Sequence, residues 1–340
     1  MAADLLSEIC ARYEVGPAFA RAYVDHFSAR VGAPLDGCRL DEVLARPQPE
    51  PLWFDFALST NQRARTLWQT VAPHVGARRG RYLDVGTGYG GTLITFRQQG
   101  FDVHGVEIVE SLARLARANL RDAGLDDVVL QGSIVDEALV ARLGPGRFDL
   151  ITCIDVIEHV SDPWKALRHM VSLLAPGGLL LLEIPNKDSL SFVVKDGHFG
   201  LFGITQLPRR RAEAYYARFF REPYDGMGEY FPLSSYLLAL EAAGCEGRTI
   251  DAAGHYVRPL TELPALFRRG RDEYRAFLAE RAPRLPLGLT VELHAAVARY
   301  LGSFAAHRLA ARLGLESDAA FRGRYLADFW TVLARKRTSG

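Results

Sequence analysis

Three groups of residues in this chain have the types and spacing to do chemistry. The first is Asp84-Val85-Gly86-Thr87-Gly88-Tyr89-Gly90-Gly91, preceded by Tyr82-Leu83. It reads as a buried strand that turns through glycines into a helix, with main-chain N–H groups open to a nucleotide-like ligand. Gly86, Gly88 and Gly91 also satisfy the dinucleotide pattern G-x-G-x-x-G, so the glycines alone do not choose the ligand. Asp84 does. A carboxylate two residues before the first glycine, near the mouth of the loop, repels a pyrophosphate and attracts an ammonium group. The second group is Glu107, at the end of the next strand, roughly 20 residues past the loop, where an acid can bind both hydroxyls of a ribose. Ile108 follows it, placed to cover one face of an adenine. The third group is Asp155, Glu158 and His159, with His198 further along. A histidine there could take the proton of an acceptor hydroxyl near neutral pH.

An ammonium without a phosphate is what S-adenosylmethionine offers. The run D-x-G-x-G-x-G over Asp84–Gly90 resembles the first motif of the class I S-adenosylmethionine-dependent methyltransferases. The resemblance implies S-adenosyl-L-methionine as cofactor, held by Asp84, Gly86, Thr87, Gly88, Gly90, Glu107 and Ile108, with Asp155 at the border of the same site. The family places adenine contacts after the third strand, often on a carboxylate. Here the segment is Gln131-Gly132-Ser133-Ile134, so Ser133 and Ile134, by side chain or backbone, are expected to stand in.

The segment Asp155-Val156-Ile157-Glu158-His159-Val160 resembles the E-x-x-E-H-V of ubiquinone-type O-methyltransferases and of small-RNA 3′-end 2′-O-methyltransferases. In those families the two acids and the histidine can hold a divalent metal. Here Asp155 replaces the first Glu, one methylene shorter. Asp155, Glu158, His159 and His198 could supply a mixed oxygen and nitrogen set. Capping of the next helix, or orientation of the acceptor, are the alternatives. The expectation is a mechanism without metal, with His198 or His159 as base or acceptor clamp, assisted by Glu158 and Asp155.

Around these groups the pattern alternates. Strands are expected at 81–85, 102–107, 127–131, 148–154, 179–184 and 247–253, with helices at 90–99, 109–124, 136–143, 162–175 and 233–243. Strands alternating with helices at this spacing imply parallel βαβ units. The fold class is therefore α/β, a doubly wound, Rossmann-like sheet. By the resemblance, Asp328–Arg335 is a seventh strand entering antiparallel beside the sixth. Residues 1–59 read as a helical extension. Its helices lie over 4–32, broken at Gly16-Pro17, and are followed by an irregular stretch at 33–58 rich in proline. A helix at 60–76 leads into the core, which spans 60–258. Residues 259–320 read as a helical insertion, and 321–340 as the last strand and tail.

Residues 186–232 interrupt the rhythm. Gly197, Gly200 and Gly203 alternate with Phe199, Leu201 and Phe202, which predicts a mobile flap that covers the acceptor and carries His198. A structural histidine that holds the flap is the alternative. Arg209-Arg210-Arg211, with Arg218 and Arg221, read either as a solvated helix face or as a site for an acidic acceptor. Tyr215, Tyr216, Phe219, Phe220, Tyr224, Tyr230 and Phe231 read as pocket wall or core.

Composition bounds the rest. A chain of 340 residues is long for one α/β domain, and a net charge of +1 gives no footprint for nucleic acid. The cysteines at 10, 38, 153 and 245 show no C-x-x-C pairing, which suits a reducing compartment. The acidic N-terminus does not read as a signal peptide, and no apolar run approaches a membrane span of roughly 20 residues. The expectation is a cytoplasmic enzyme that methylates a small molecule, most simply at a hydroxyl oxygen, with no membrane and no nucleic acid as partner. The N-terminal helices and the two insertions would shape its pocket and a homodimer interface. A metal-assisted enzyme, N- or S-methylation, and a non-catalytic cofactor-binding partner protein are the alternatives.

Overall fold

The seven strands hold their pattern through burial, near complete along the middle of the sheet and partial at its edges. In the computed structural model these are β1 (Arg81–Val85), β2 (Asp102–Glu107), β3 (Val129–Gln131), β4 (Phe148–Ile154), β5 (Leu174–Pro185), β6 (Cys245–Thr249) and β7 (Phe329–Lys336). The structure describes residues 4–35, 37–47, 50–76, 79–126, 128–221, 231–251 and 257–338. Tyr224, Tyr230 and the end of the strand expected at 247–253 lie outside them. One seven-stranded sheet runs in the order β3-β2-β1-β4-β5-β7-β6. β1 to β5 pair in parallel, and β7 enters antiparallel between β5 and β6. The strand order reverses between β1 and β4, where a doubly wound sheet opens its ligand crevice. β5 begins earlier than expected. Its register against β4 jumps from Phe148–Leu174 to Leu150–Leu179, so Pro176-Gly177-Gly178 bulges out inside the strand.

The N-terminal helices are α1 (Leu5–Tyr13), α2 (Pro17–Val31), α3 (Leu40–Leu44), α4 (Glu50–Leu58) and α5 (Thr60–Val71). α3 and α4 overturn the expectation of an irregular 33–58. Pro51 sits in the first turn of α4, where a missing N–H costs nothing. The core helices follow as α6 (Gly91–Gln98), α7 (Glu110–Asp122), α8 (Glu137–Leu143) and α9 (Pro163–Leu173). The extension is tied to the core by Asp122 of α7. Its carboxylate accepts the Ala18 and Phe19 N–H groups at 3.2 and 2.8 Å, at the start of α2, which stabilises a helix N-terminus.

Between β5 and β6 lie α10 (Leu190–Val194), α11 (Arg209–Tyr216) and α12 (Leu233–Ala242). The insertion after β6 contains α13 (Leu263–Ala276), a π turn at Phe277–Arg281, and the long α14 (Leu287–Arg312). α15 (Asp318–Tyr325) then precedes β7, a helix the sequence reading did not expect. The insertion packs on the segment expected to be a flap. Leu201, Phe202 and Ile204 are buried with Tyr215, Phe277 and Leu293. Among the described residues no helix is long and apolar enough to cross a membrane.

Candidate active site

The glycine loop leaves β1 at the switch point. Gly86 has φ +77°, and a Cβ there would overlap Val156 Cγ2 from the β4 side, so the turn requires glycine. Gly90 forms the N-cap of α6. The Asp84 side chain is buried rather than open at the loop mouth. It accepts a hydrogen bond from Thr152 Oγ1 at 2.7 Å and another from Thr92 Oγ1, while Thr87 Oγ1 donates to the Asp84 carbonyl at 3.2 Å. Burial pushes the Asp84 carboxyl up to about 6. The hydroxyls of Thr92, Thr152 and Tyr82 act against that rise and Glu107 adds to it.

Glu107 closes β2 over the same loop. Its Oε2 accepts the Gly88 N–H at 2.8 Å and its Oε1 the Val109 N–H at 2.9 Å. Ile108 beside it is 63% exposed, an apolar surface at a strand end. Ser133 is partly buried, and its Oγ faces the Val135 N–H at 3.4 Å. Ile134 is 3% exposed and packs in the core, which corrects the expectation for its side chain; only its backbone remains to meet a ligand. These residues fit the donor the motif implies. A buried acid with a raised pKa favours an adjacent cation, a second acid is held over the loop, and an exposed apolar side chain adjoins it.

A second group of side chains comes from the end of β4 and from the segment after α10. Asp155 leaves β4 with φ +52°, a left-handed turn that aspartate tolerates. The tight turn Ile157–His159 follows, and it does not cap α9; Asp162 does, through the Lys165 N–H at 2.9 Å. Glu158 is 2% exposed, and neither of its oxygens receives a hydrogen bond among the described residues. Its Oε1 lies 3.7 Å from His159 Nε2 and 4.0 Å from His198 Nε2. The two imidazoles are 5.1 Å apart and nearly perpendicular, both open to solvent in front of the buried acid. Burial, then Asp155, hold the Glu158 carboxyl well above the usual carboxylate range. Burial, then His198, hold His159 down to about 4. Glu158, His159 and His198 bring ligand-type atoms within 4.8 Å of one another, a set that does not include Asp155.

The described part of the segment that carries His198 is packed against the insertion. Leu201 and Phe202, expected over the acceptor, point into the cluster with the insertion. Gly203, expected as a hinge, has φ +70° and is packed so that a Cβ would lie 2.8 Å from Leu293 and 2.9 Å from Val297. Arg209 pairs with Glu213 at 2.8 Å and Arg211 with Glu292 at 2.7 Å on the surface, which is the solvated-face reading.

Two charged residues near the site escaped the sequence reading. Arg63 of α5 stacks over the Phe56 ring at 3.7 Å and donates to the Phe56 carbonyl at 3.0 Å. Burial lowers its pKa, and Asp155, Tyr89, Glu183 and Asp55 act in the opposite direction. No local motif marks Arg63. Glu183 is buried at the end of β5, opposite Ile154 and Thr331. Its signal was available, as the acid in the run Leu179-Leu180-Leu181-Leu182-Glu183-Ile184.

Residues 59–250, more than half of the chain, match the methyltransferase domain family. A ubiquinone biosynthesis O-methyltransferase from Stutzerimonas stutzeri (strain A1501) is 30% identical over 122 residues, covering 36% of this chain and 51% of that protein. One from Albidiferax ferrireducens is 34% identical over 112 residues, 33% and 44% of the two chains. The chain thus spans about half the length of the curated relatives it matches. The solved structure of an S-adenosylmethionine dependent methyltransferase from Mesorhizobium loti is 16% identical with a TM-score of 0.45, covering 80% of this chain and 98% of that one. The chain belongs to the methyltransferase domain family, class I enzymes whose methyl donor is S-adenosylmethionine.

Proposed function

We propose that the protein methylates a hydroxyl oxygen of a small molecule. The observation that carries this is the meeting of Glu158, His159 and His198 at the sheet edge that bears the glycine loop. The names of the ubiquinone-type relatives support oxygen as the methylated atom. S-Adenosylmethionine supplies an electrophilic methyl group on a sulfonium, a good leaving group. Asp84, Gly86, Thr87, Gly88, Gly90, Glu107 and Ile108 would hold it, with Asp155, Ser133 and the Ile134 backbone at the border. The protein then has two tasks, to align the acceptor and to take its proton. His159, held down to about 4, is a weak proton acceptor at neutral pH and suits the role of clamp. His198 is the base, receiving the acceptor proton at Nε2 and passing it to solvent.

The test is transfer of the labelled methyl group of S-adenosylmethionine to a panel holding a catechol, a hexose, a primary amine and a thiol. Label on the hydroxyl compounds supports the reading. Label on the amine or thiol alone, undiminished by loss of both histidines, contradicts it. No label on any acceptor, with donor binding intact, would point to a non-catalytic partner protein.

One observation favours a second reading. The Glu158 oxygens, without hydrogen bonds among the described residues and flanked by two imidazoles, are a donor set for a divalent ion. The leading reading expects activity untouched by a chelator. Activity lost to chelator and restored by a divalent ion would replace it with the metal-assisted one.

A further inference from the structure

A helix on a protein surface ordinarily buries one face and gives charged residues to the other. α14 does not. Its inner face, with Leu289, Leu293, Ala296, Tyr300 and Phe304, is buried. Leu293 and Ala296 pack with Leu201 and Tyr215, and Tyr300 and Phe304 pack with Phe321 and Tyr325. The opposite face is apolar too. Val291, Ala295, Ala298, Gly302, Ala305 and Leu309 recur four and three residues apart, and all six are exposed. That spacing keeps a seam in line along a helix that packs on another helix. Between Glu292 and Arg308 the only acid or arginine of α14 is Arg299.

The patch is wider than the seam. Leu287, Val291, Leu301, Leu309, Leu313 and Leu315 are between 43% and 80% exposed. Beside them runs a groove of about 440 Å³ whose walls include Phe267 of α13, Leu301, Ala305, Leu309 and Arg312. Side chains exposed to that extent, with the small residues between them, present on the order of 800 Å² per copy, which is what a standard stable interface buries on each partner. Isolated exposed leucines are ordinary, but a contiguous patch of this size marks an interaction surface.

The layout suits a second copy of the chain. Ala295, Ala298, Gly302 and Ala305 make the middle of the seam small, and larger residues hold both ends. Such a seam is its own complement across a two-fold axis. Two copies of α14 crossing near Gly302 can approach closely there. Leu287 and Val291 of one copy then meet Leu309 and Leu313 of the other, which requires antiparallel helices. That arrangement opposes the helix dipoles and sets the end carrying Glu292 against the end carrying Arg312. A parallel pair would set Arg312 against its own copy. A membrane-surface helix instead turns a face rich in lysine and arginine to water, and the face of α14 opposite the seam is packed in the protein.

We propose that the protein associates as a two-fold dimer through the outer face of α14, with the two helices antiparallel and crossing near Gly302. The inner face of the same helix packs on the segment that carries His198, so the dimer covers α14 on both sides.

Sedimentation velocity on the full chain tests this. The wild type is expected at twice the chain mass of 37.7 kDa. Ala298→Glu places a charge in the seam and should sediment as a single chain, with S-adenosylmethionine affinity unchanged by calorimetry. Leu238→Glu, on α12 and also exposed, should stay dimeric. A Cβ at Gly302 meets nothing within its own chain, so Gly302→Cys serves as a probe of the crossing point. A short bismaleimide should join two Gly302→Cys chains. It should join Val291→Cys chains no more than wild type, because antiparallel pairing holds those positions roughly 30 Å apart.

A wild type that sediments as a single chain at every concentration overturns the proposal. If that single chain floats with anionic lipid vesicles and Ala298→Glu does not, the face belongs to a membrane instead. A dimer that Ala298→Glu leaves intact and Gly302→Cys does not cross-link has its interface elsewhere, and efficient cross-linking through Val291→Cys contradicts the antiparallel crossing. The cross-linking decides even if Ala298→Glu does not fold.

Discussion

The proposed donor end and the proposed acceptor end of this site handle buried carboxylates in opposite ways. At the donor end each carboxylate oxygen of Asp84 and Glu107 accepts a hydrogen bond. Hydroxyls of Thr92 and Thr152 hold the one, and N–H groups of Gly88 and Val109 hold the other. At the acceptor end Glu158 is as deeply buried and has no hydrogen bond among the described residues. A buried carboxylate without a hydrogen bond costs about 1–3 kcal/mol, and the groups nearest Glu158 are the two imidazoles, at 3.7 and 4.0 Å.

The comparison breaks most visibly at His198. His198→Ala is expected to lower turnover by about 10²–10⁴-fold, the usual range for a general base, on whichever acceptor takes label. Donor affinity should stay put. Near-normal turnover would move the base to His159.

The converse variant is Glu107→Ala. Losing its charge-assisted hydrogen bonds should weaken S-adenosylmethionine binding by about 1.5–3 kcal/mol, read by calorimetry, with NAD not binding at all. Binding of NAD without S-adenosylmethionine would contradict the account of the donor end.

Asp84 sharpens the contrast through stability. Its carboxyl rises from 3.8 to about 6 in the fold, so the folded protein binds that proton more tightly than the unfolded chain. The ligand-free protein should therefore lose stability as pH rises from about 4 to about 6 and stay level above, by about 2–3 kcal/mol in all. Asp84→Asn should abolish that slope and raise the melting temperature of the ligand-free protein at neutral pH, while weakening donor binding. An unchanged slope in the variant would locate it elsewhere.

The smallest effect is expected at the segment that bears His198. Gly203→Ala places a Cβ against Leu293 and Val297 at φ +70°. It should cost about 1–3 kcal/mol in chemical denaturation, with the damage appearing in turnover before donor affinity. No loss of stability would mean that the contact with α14 is loose.

The same contrast explains what could be read from the chain. The donor end is local: Asp84 to Gly90 is one strand and one turn, and Glu107 closes the next strand, whose bounds matched the expectation. Periodicity and glycine spacing suffice for that. The acceptor end is assembled across the chain. His198 was visible as a residue, but composition does not tell which way Leu201 and Phe202 point, and a glycine-rich, aromatic stretch reads equally as flap or as packed turn. Arg63 comes from an element with no motif, and Glu183 is marked only as the lone acid in an apolar run. The proline-rich 33–58 was misread because Pro51 falls in a first helical turn, where it is harmless.

The central claim is that the two ends are separable, and one titration addresses it directly. S-Adenosylmethionine is titrated into the wild type and into the His159→Ala/His198→Ala double variant, with label transfer followed on the same preparations. The account predicts wild-type donor affinity in the double variant together with loss of transfer. A double variant that loses donor affinity, or that retains both affinity and transfer, would contradict it.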